Sequence, residues 1–248
     1  MSGHSKWSTI KHKKGKTDAQ RGKIFTKIIR EITSAVRAGG PDINANPRLR
    51  LAVDKARDSN MPSDNYERAI LKASGGADGV ALEEVTYEGY GPAGVAPMVE
   101  AITDNKQRTV SDVRNIFSKN GGNMGSTGCV SYIFTRKGHL TFDKKNNNEE
   151  TLTMAAIDAG AEDIKTDDGT IEVVTTPENF EKVKNELKKQ GFQSVASELA
   201  LVPSTTVTVT GEDAKKVIKL VETLEDNDDV QNVYANFDIP DEILEQNS

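Results

Sequence analysis

The chain has 248 residues, 35% hydrophobic and 28% charged, with a net charge of −6. This is long enough for more than one core and too apolar for disorder throughout. Its single cysteine, Cys129, excludes a disulfide framework and points to a reducing compartment. No stretch approaches the roughly 18 apolar residues of a membrane span, and the basic start runs into no secretory-type apolar segment. The expectation is therefore a cytoplasmic protein without a membrane partner.

The charge is divided unevenly along the chain. Residues 1–75 carry 16 Lys and Arg against 7 Asp and Glu, a net of +9, whereas residues 76–248 carry 16 against 31, a net of −15. Such asymmetry predicts a basic module for a polyanion on an acidic body, or two parts that attract each other.

The first 22 residues are polar and basic, with little periodicity. The segment KIFTKIIREITSAVRAGG then places Ile24, Phe25, Ile28, Ile29, Ile32 and Val36 at helical spacing, with Lys23, Lys27, Arg30 and Arg37 on the opposite side. It predicts an amphipathic helix with a cationic back, closed by Gly39-Gly40. A second helix starts at Asn46-Pro47 and ends before Pro62, and a third runs from Ser63 towards Gly75. Beyond Gly79 the pattern turns to strands. Two flank Gly91-Pro92, a helix follows in TVSDVRNIFSKNGG, and STGCVSYIF is expected as another strand. From Arg136 to Pro203 the order is β-α-β-β-α-β, the ferredoxin-like signature. The remaining elements, STTVTVTG, a helix from Glu212 and the strand VQNVYANFDI, need partners from residues 80–134.

The predicted fold is therefore multi-domain α+β: a small helical domain at the N-terminus, then two ferredoxin-like domains, one inserted in the other. The boundaries are 1–76 for the basic arm and three helices, 77–134 with 204–240 for the discontinuous domain, and 135–203 for the insertion.

Several motifs fail on their own chemistry. HKKGKT ends like a phosphate-binding P-loop, but position 10 is Ile where the loop needs Gly. GGNMGSTG follows a helix and precedes a strand, the reverse of a dinucleotide fingerprint, so it reads as a helix cap and turn; a backbone nest for an anion is the alternative. RKGHLTF puts His139 and Leu140 where an RNA-binding sheet needs an aromatic and a small residue. Three histidines and one cysteine form no zinc spacing, and the acidic tracts DKKNNNEE and LEDNDDV lack the calcium-loop pattern and read as solvated faces or loops. No cofactor, metal or catalytic residue is expected. Asp104, Asp112 and Arg114 would support an enzyme only by converging in a pocket.

What remains is the cationic stretch. Lys6, Lys11, Lys13, Lys14, Lys16, Arg21, Lys23, Lys27 and Arg30 form a dense basic surface, with Trp7 and His12 interleaved. Each phosphate neutralised releases counterions, which gives strong, salt-sensitive and largely sequence-blind binding. A ring among cations can stack on an unpaired base. These eleven residues are the candidate nucleic-acid contacts.

The runs GHSKWSTIKHKKGKTDAQRGKIFTKIIREI, NPRLRLAVDKARDSNMP, NYERAI, YEGYGPAGVA, TDNKQRTVSDVR and VQNVYANFDIP, in this order over nearly the whole chain, resemble the YebC family. The resemblance implies three domains and a cytoplasmic, non-enzymatic regulator. Bacterial members are described as probable transcriptional regulators and the mitochondrial relative as a translational activator. The implied partner is DNA, or alternatively ribosomal or messenger RNA and the ribosome. An enzyme with a site between the α+β domains is the remote alternative.

Overall fold

The computed structural model describes residues 18–75, 81–167, 169–240 and 243, with side chains from Arg21 onward. Lys6, Trp7, Lys11, His12, Lys13, Lys14 and Lys16 lie outside the described residues. The chain divides into two compact units, Ile133–Ser204 and the remainder.

In the larger unit, α1 (Asp18–Gly39), α2 (Pro47–Asp58) and α3 (Ser63–Ser74) pack around Ile28, Ile32, Ala35, Leu49, Val53, Ala56 and Tyr66. The apolar positions are those spaced for one helical face, so burial of that stripe holds the helices together. Asn46 joins two ends. Its Oδ1 accepts the Leu49 N–H at 3.0 Å and caps α2, while its Nδ2 donates to Ala35 O and Gly40 O, both at 2.8 Å. Gly39 makes this possible, because a Cβ there would lie 2.8 Å from Asn46 Nδ2.

The same unit contains an antiparallel sheet of β1 (Glu83–Tyr90), β2 (Pro97–Thr103), β3 (Asn123–Met124) and β9 (Val230–Ala235), in the order β3-β1-β2-β9. Helices α4 (Lys106–Lys119) and α7 (Gly211–Asp226) share one core with it, around Val99, Val113, Phe117, Val217, Leu220, Val221 and Val233. The layering is that of a four-stranded, two-helix ferredoxin-like unit. Here β1 and β2 form the central hairpin, and α7 and β9 arrive from beyond residue 204. Most of the predicted strand STTVTVTG is irregular: only β8 (Val207–Thr208) is extended, paired parallel with β10 (Phe237–Asp238).

The smaller unit is built from β4 (Phe134–Asp143), α5 (Glu149–Ala159), β5 (Asp163–Thr166), β6 (Thr170–Thr175), α6 (Phe180–Lys189) and β7 (Ala196–Pro203). Its sheet order, β5-β6-β4-β7, is ferredoxin-like. Leu140, Phe142, Leu152, Ile171, Val173, Phe180 and Leu187 are fully buried. His139 is buried as well, with Nδ1 2.7 Å from Glu172 Oε1, so it is no exposed stacking platform.

One expected strand is absent. In STGCVSYIF only Phe134 is extended, and Ser131–Ile133 form a 3-10 turn. The cause is Glu88 on β1. Its buried carboxylate accepts the N–H groups of Gly128, Val130 and Ser131, each at 2.8 Å, which removes them from any ladder. The anion nest left open by the sequence is thus filled by the protein's own side chain. Burial pushes the Glu88 carboxyl up, but the backbone donors outweigh it and hold it below the usual carboxylate range.

Candidate nucleic-acid interface and the polar hub behind it

Four of the candidate contacts, Arg21, Lys23, Lys27 and Arg30, lie on α1 within the described residues. Arg21 is exposed. The head groups of the other three meet the acidic segment that closes α7 and opens β9. Lys23 Nζ lies 2.6 Å from Asp226 Oδ1, and Lys27 Nζ donates to Glu225 O at 2.6 Å. The Arg30 guanidinium donates to Asp228 O at 2.7 Å and to Asp229 Oδ1 at 2.6 Å. The tract LEDNDDV is therefore a docking element for the cationic back of α1, rather than a solvated loop. Attraction between basic and acidic parts accounts for this portion of the charge asymmetry.

Asp229 is the hub. Its side chain is 5% exposed, and it also accepts Arg108 at 2.8 Å, Thr109 Oγ1 at 2.7 Å and Thr103 Oγ1 at 3.2 Å. Asn105 caps α4 through the Arg108 N–H, which fixes the first turn of the helix and so aims Arg108 and Thr109 at the carboxylate. Burial pushes the Asp229 carboxyl up, yet hydrogen bonds from Arg108, Thr109 and Arg30 prevail and hold it low. A buried carboxylate is tolerated because its lone pairs are filled by two cations and two hydroxyls.

The hub forms the floor of an open pocket of about 380 Å³ that Asp104 and Asp112 also line; Arg114 is not among its lining residues. Asp104 is committed to Arg108 at 2.6 Å, and that hydrogen bond holds its carboxyl below the ordinary range. The three residues singled out for a catalytic reading are thus only partly brought together. Among the described residues, no cluster of His, Cys, Asp or Glu is arranged to hold a metal ion, and no helix is long and apolar enough to cross a membrane. Sequence reasoning missed the hub because its members come from α1, β2, α4 and the turn before β9. The one signal was density of charge, in TDNKQRTVSD and LEDNDDV.

The fold and sequence have close counterparts. The chain is 56% identical to a probable transcriptional regulatory protein of Geotalea uraniireducens over 246 residues, covering 99% of both chains. It is 52% identical to one of Dictyoglomus turgidum, again covering 99% of both. The crystal structure of a conserved hypothetical protein from Aquifex aeolicus superimposes with a TM-score of 0.86 at 50% identity, covering 95% of this chain and 97% of that one. Residues 5–76 match the TACO1/YebC protein N-terminal domain, and residues 82–237 match the TACO1/YebC second and third domain. The chain belongs to the TACO1/YebC family.

Proposed function

We propose that this protein is a non-enzymatic regulator of gene expression that binds nucleic acid through its N-terminal basic arm. The observation that carries this reading is the net charge of +9 in residues 1–75, with nine cations between Lys6 and Arg30. Lys23, Lys27 and Arg30 are engaged by the 225–229 segment, so the principal contacts are assigned to Lys6, Lys11, Lys13, Lys14 and Lys16, with Trp7 and His12 as stacking partners. The relatives named as probable transcriptional regulatory proteins favour DNA as the partner.

A specific observation supports RNA as the second reading. Helices α2 and α3 are joined by a short turn, as in a helix-turn-helix, but the leading half of α3 exposes Asp64 and Glu67. In a major groove these carboxylates would face phosphates, so α3 is a poor reading helix. A lysine-rich arm with an aromatic ring suits structured RNA, which is read by shape and unpaired bases.

The test is fluorescence anisotropy with duplex DNA and with hairpin RNA, on the full chain and on a variant carrying Gln at Lys6, Lys11, Lys13, Lys14 and Lys16. Loss of five phosphate contacts should weaken binding at least tenfold and flatten the logarithmic salt dependence on duplex DNA by up to about 4.5. Unchanged affinity for both probes overturns the reading, and the tighter wild-type probe decides between DNA and RNA.

A further inference from the structure

The two glycine-rich motifs of the α+β sequence, GYGPAG and KNGGN, meet in space. A Cβ at Gly122 would lie 2.7 Å from Tyr90 O and 3.3 Å from Gly91 Cα, and one at Gly89 would lie 2.6 Å from Asn123 O. These backbones are in contact, and the pairing of β1 with β3 fixes them there. At the surface above this junction lies an open cleft of about 510 Å³. Its walls include Ala93 and Gly121, both in the left-handed backbone region at φ 56° and 75°, together with Lys119 from the last turn of α4, Asp213 and Lys216 from the first half of α7 and Lys219 from its middle.

Three cations and one anion face this space, a surplus of two positive charges. Lys216 is matched by Asp213 at 2.9 Å, one helical turn earlier, and Lys215 outside the cleft is matched by Glu212 at 2.8 Å in the same way. Lys119 and Lys219 differ: among the described residues no carboxylate pairs with either, and both side chains are exposed. Lys119 sits where a cation complements the carboxyl end of a helix dipole. Lys219 lies away from the helix end: its neighbours one turn back are Lys215 and Lys216, and Glu222 one turn ahead forms no ion pair with it among the described residues. Two lysines from different helices, neither paired with a carboxylate among the described residues, thus line one concave surface together with the close-packed turns.

We infer that this cleft binds a phosphate group, held by Lys119 and Lys219 with Lys216 in support. Lysine ammoniums act as point charges and donate to phosphate oxygens without demanding one bidentate geometry. The phosphate comes either from a nucleic-acid backbone, as a second anchor for the strand held by the arm, or from a free phosphorylated small molecule. The first source rests on the function proposed above; the cleft itself does not.

The experiment uses the full chain and has two arms. Inorganic phosphate is titrated while the amide resonances of Asn120 and Gly121 are followed by NMR, in the wild type, in the Lys119→Gln/Lys219→Gln double variant and in a Lys215→Gln control. The wild type and the control should shift saturably, and the double variant should not. A fluorescein-labelled single-stranded oligoribonucleotide is then titrated at several salt concentrations. A Kd raised about tenfold in the double variant, with a salt slope flatter by about 1.4, assigns the cleft to a nucleic-acid backbone. A phosphate response with unchanged oligonucleotide affinity assigns it to a phosphorylated small molecule. No saturable shift at Asn120 and Gly121, or the same shift in the double variant, overturns the inference. Failure of the arm variant to lose nucleic-acid binding would overturn the proposed function and leave the phosphate arm standing.

Discussion

Helices α4 and α7 lie antiparallel, and their two ends treat charge in opposite ways. At one end the start of α4 meets the end of α7, and Asp229 collects Arg30, Arg108 and two threonine hydroxyls in a closed network. At the other, the end of α4 meets the start of α7, and Lys119 and Lys219 are left without carboxylate partners among the described residues. The difference teaches how to read a charged sequence. Charge that is satisfied inside the fold positions its elements; charge left over in a concave place is available for a ligand. A count of lysines and aspartates gives the sum of both kinds.

Breaking the closed end should have the largest effect. Asp229→Ala leaves two guanidiniums and two hydroxyls facing an empty space, and should cost about 3 kcal/mol in urea unfolding, the scale of a buried pair that loses one partner. The acid limb of stability offers a second measure. The folded Asp229 carboxyl is held below its ordinary value of about 3.9, so its contribution is complete at neutral pH and is lost as pH falls from near that value towards the folded one. Asp229→Asn should show a shallower loss of stability below about pH 4.5 than the wild type, and equal slopes would mean the network does not stabilise the ionised form.

The open end should respond to backbone rather than charge. Ala93 holds φ 56°, a conformation that costs an L-residue about 1 kcal/mol and glycine almost nothing. Ala93→Gly is expected to raise stability by up to about 1 kcal/mol in the same assay. A loss of stability would show that the alanine methyl contributes packing that outweighs the strain.

The smallest effect is expected at the rim of the closed end. Lys23 and Asp226 form an ion pair whose side chains are 44% and 72% exposed, so Asp226→Asn should change stability by less than about 0.5 kcal/mol. It also frees a cation next to the proposed arm, and nucleic-acid affinity at low salt should rise by a small factor. A fall in affinity would mean that the acidic segment supports the contact surface instead of covering part of it.

Much of the fold was legible in the pattern of apolar residues. The stripes of α1 and α2 predicted the helical core that Ile28, Ile32, Leu49 and Val53 fill, and the β-α-β-β-α-β order from Arg136 to Pro203 predicted the topology of the smaller unit. The failures have one physical cause. STGCVSYIF has the alternation and β-branched content of a strand, but three of its amides are taken by Glu88, some forty residues away. LEDNDDV has the composition of a solvated loop, but three cations of α1 lie against it. A local pattern reports what a segment prefers, and a distant side chain that fills its donors or neutralises its charges overrides that preference.

The sequence by itself determined the family, through the order of its characteristic runs, and also the helical and α+β layers and the concentration of positive charge in residues 1–75, which follow from local periodicity and composition. Only the tertiary structure decided which charges cancel. Arg30 and Asp229 are separated by 199 positions yet stand 2.6 Å apart, whereas Lys119 and Lys219 line one cleft and, among the described residues, neither is paired with a carboxylate. Coulomb attraction depends on distance in space and on burial, and chain separation fixes neither.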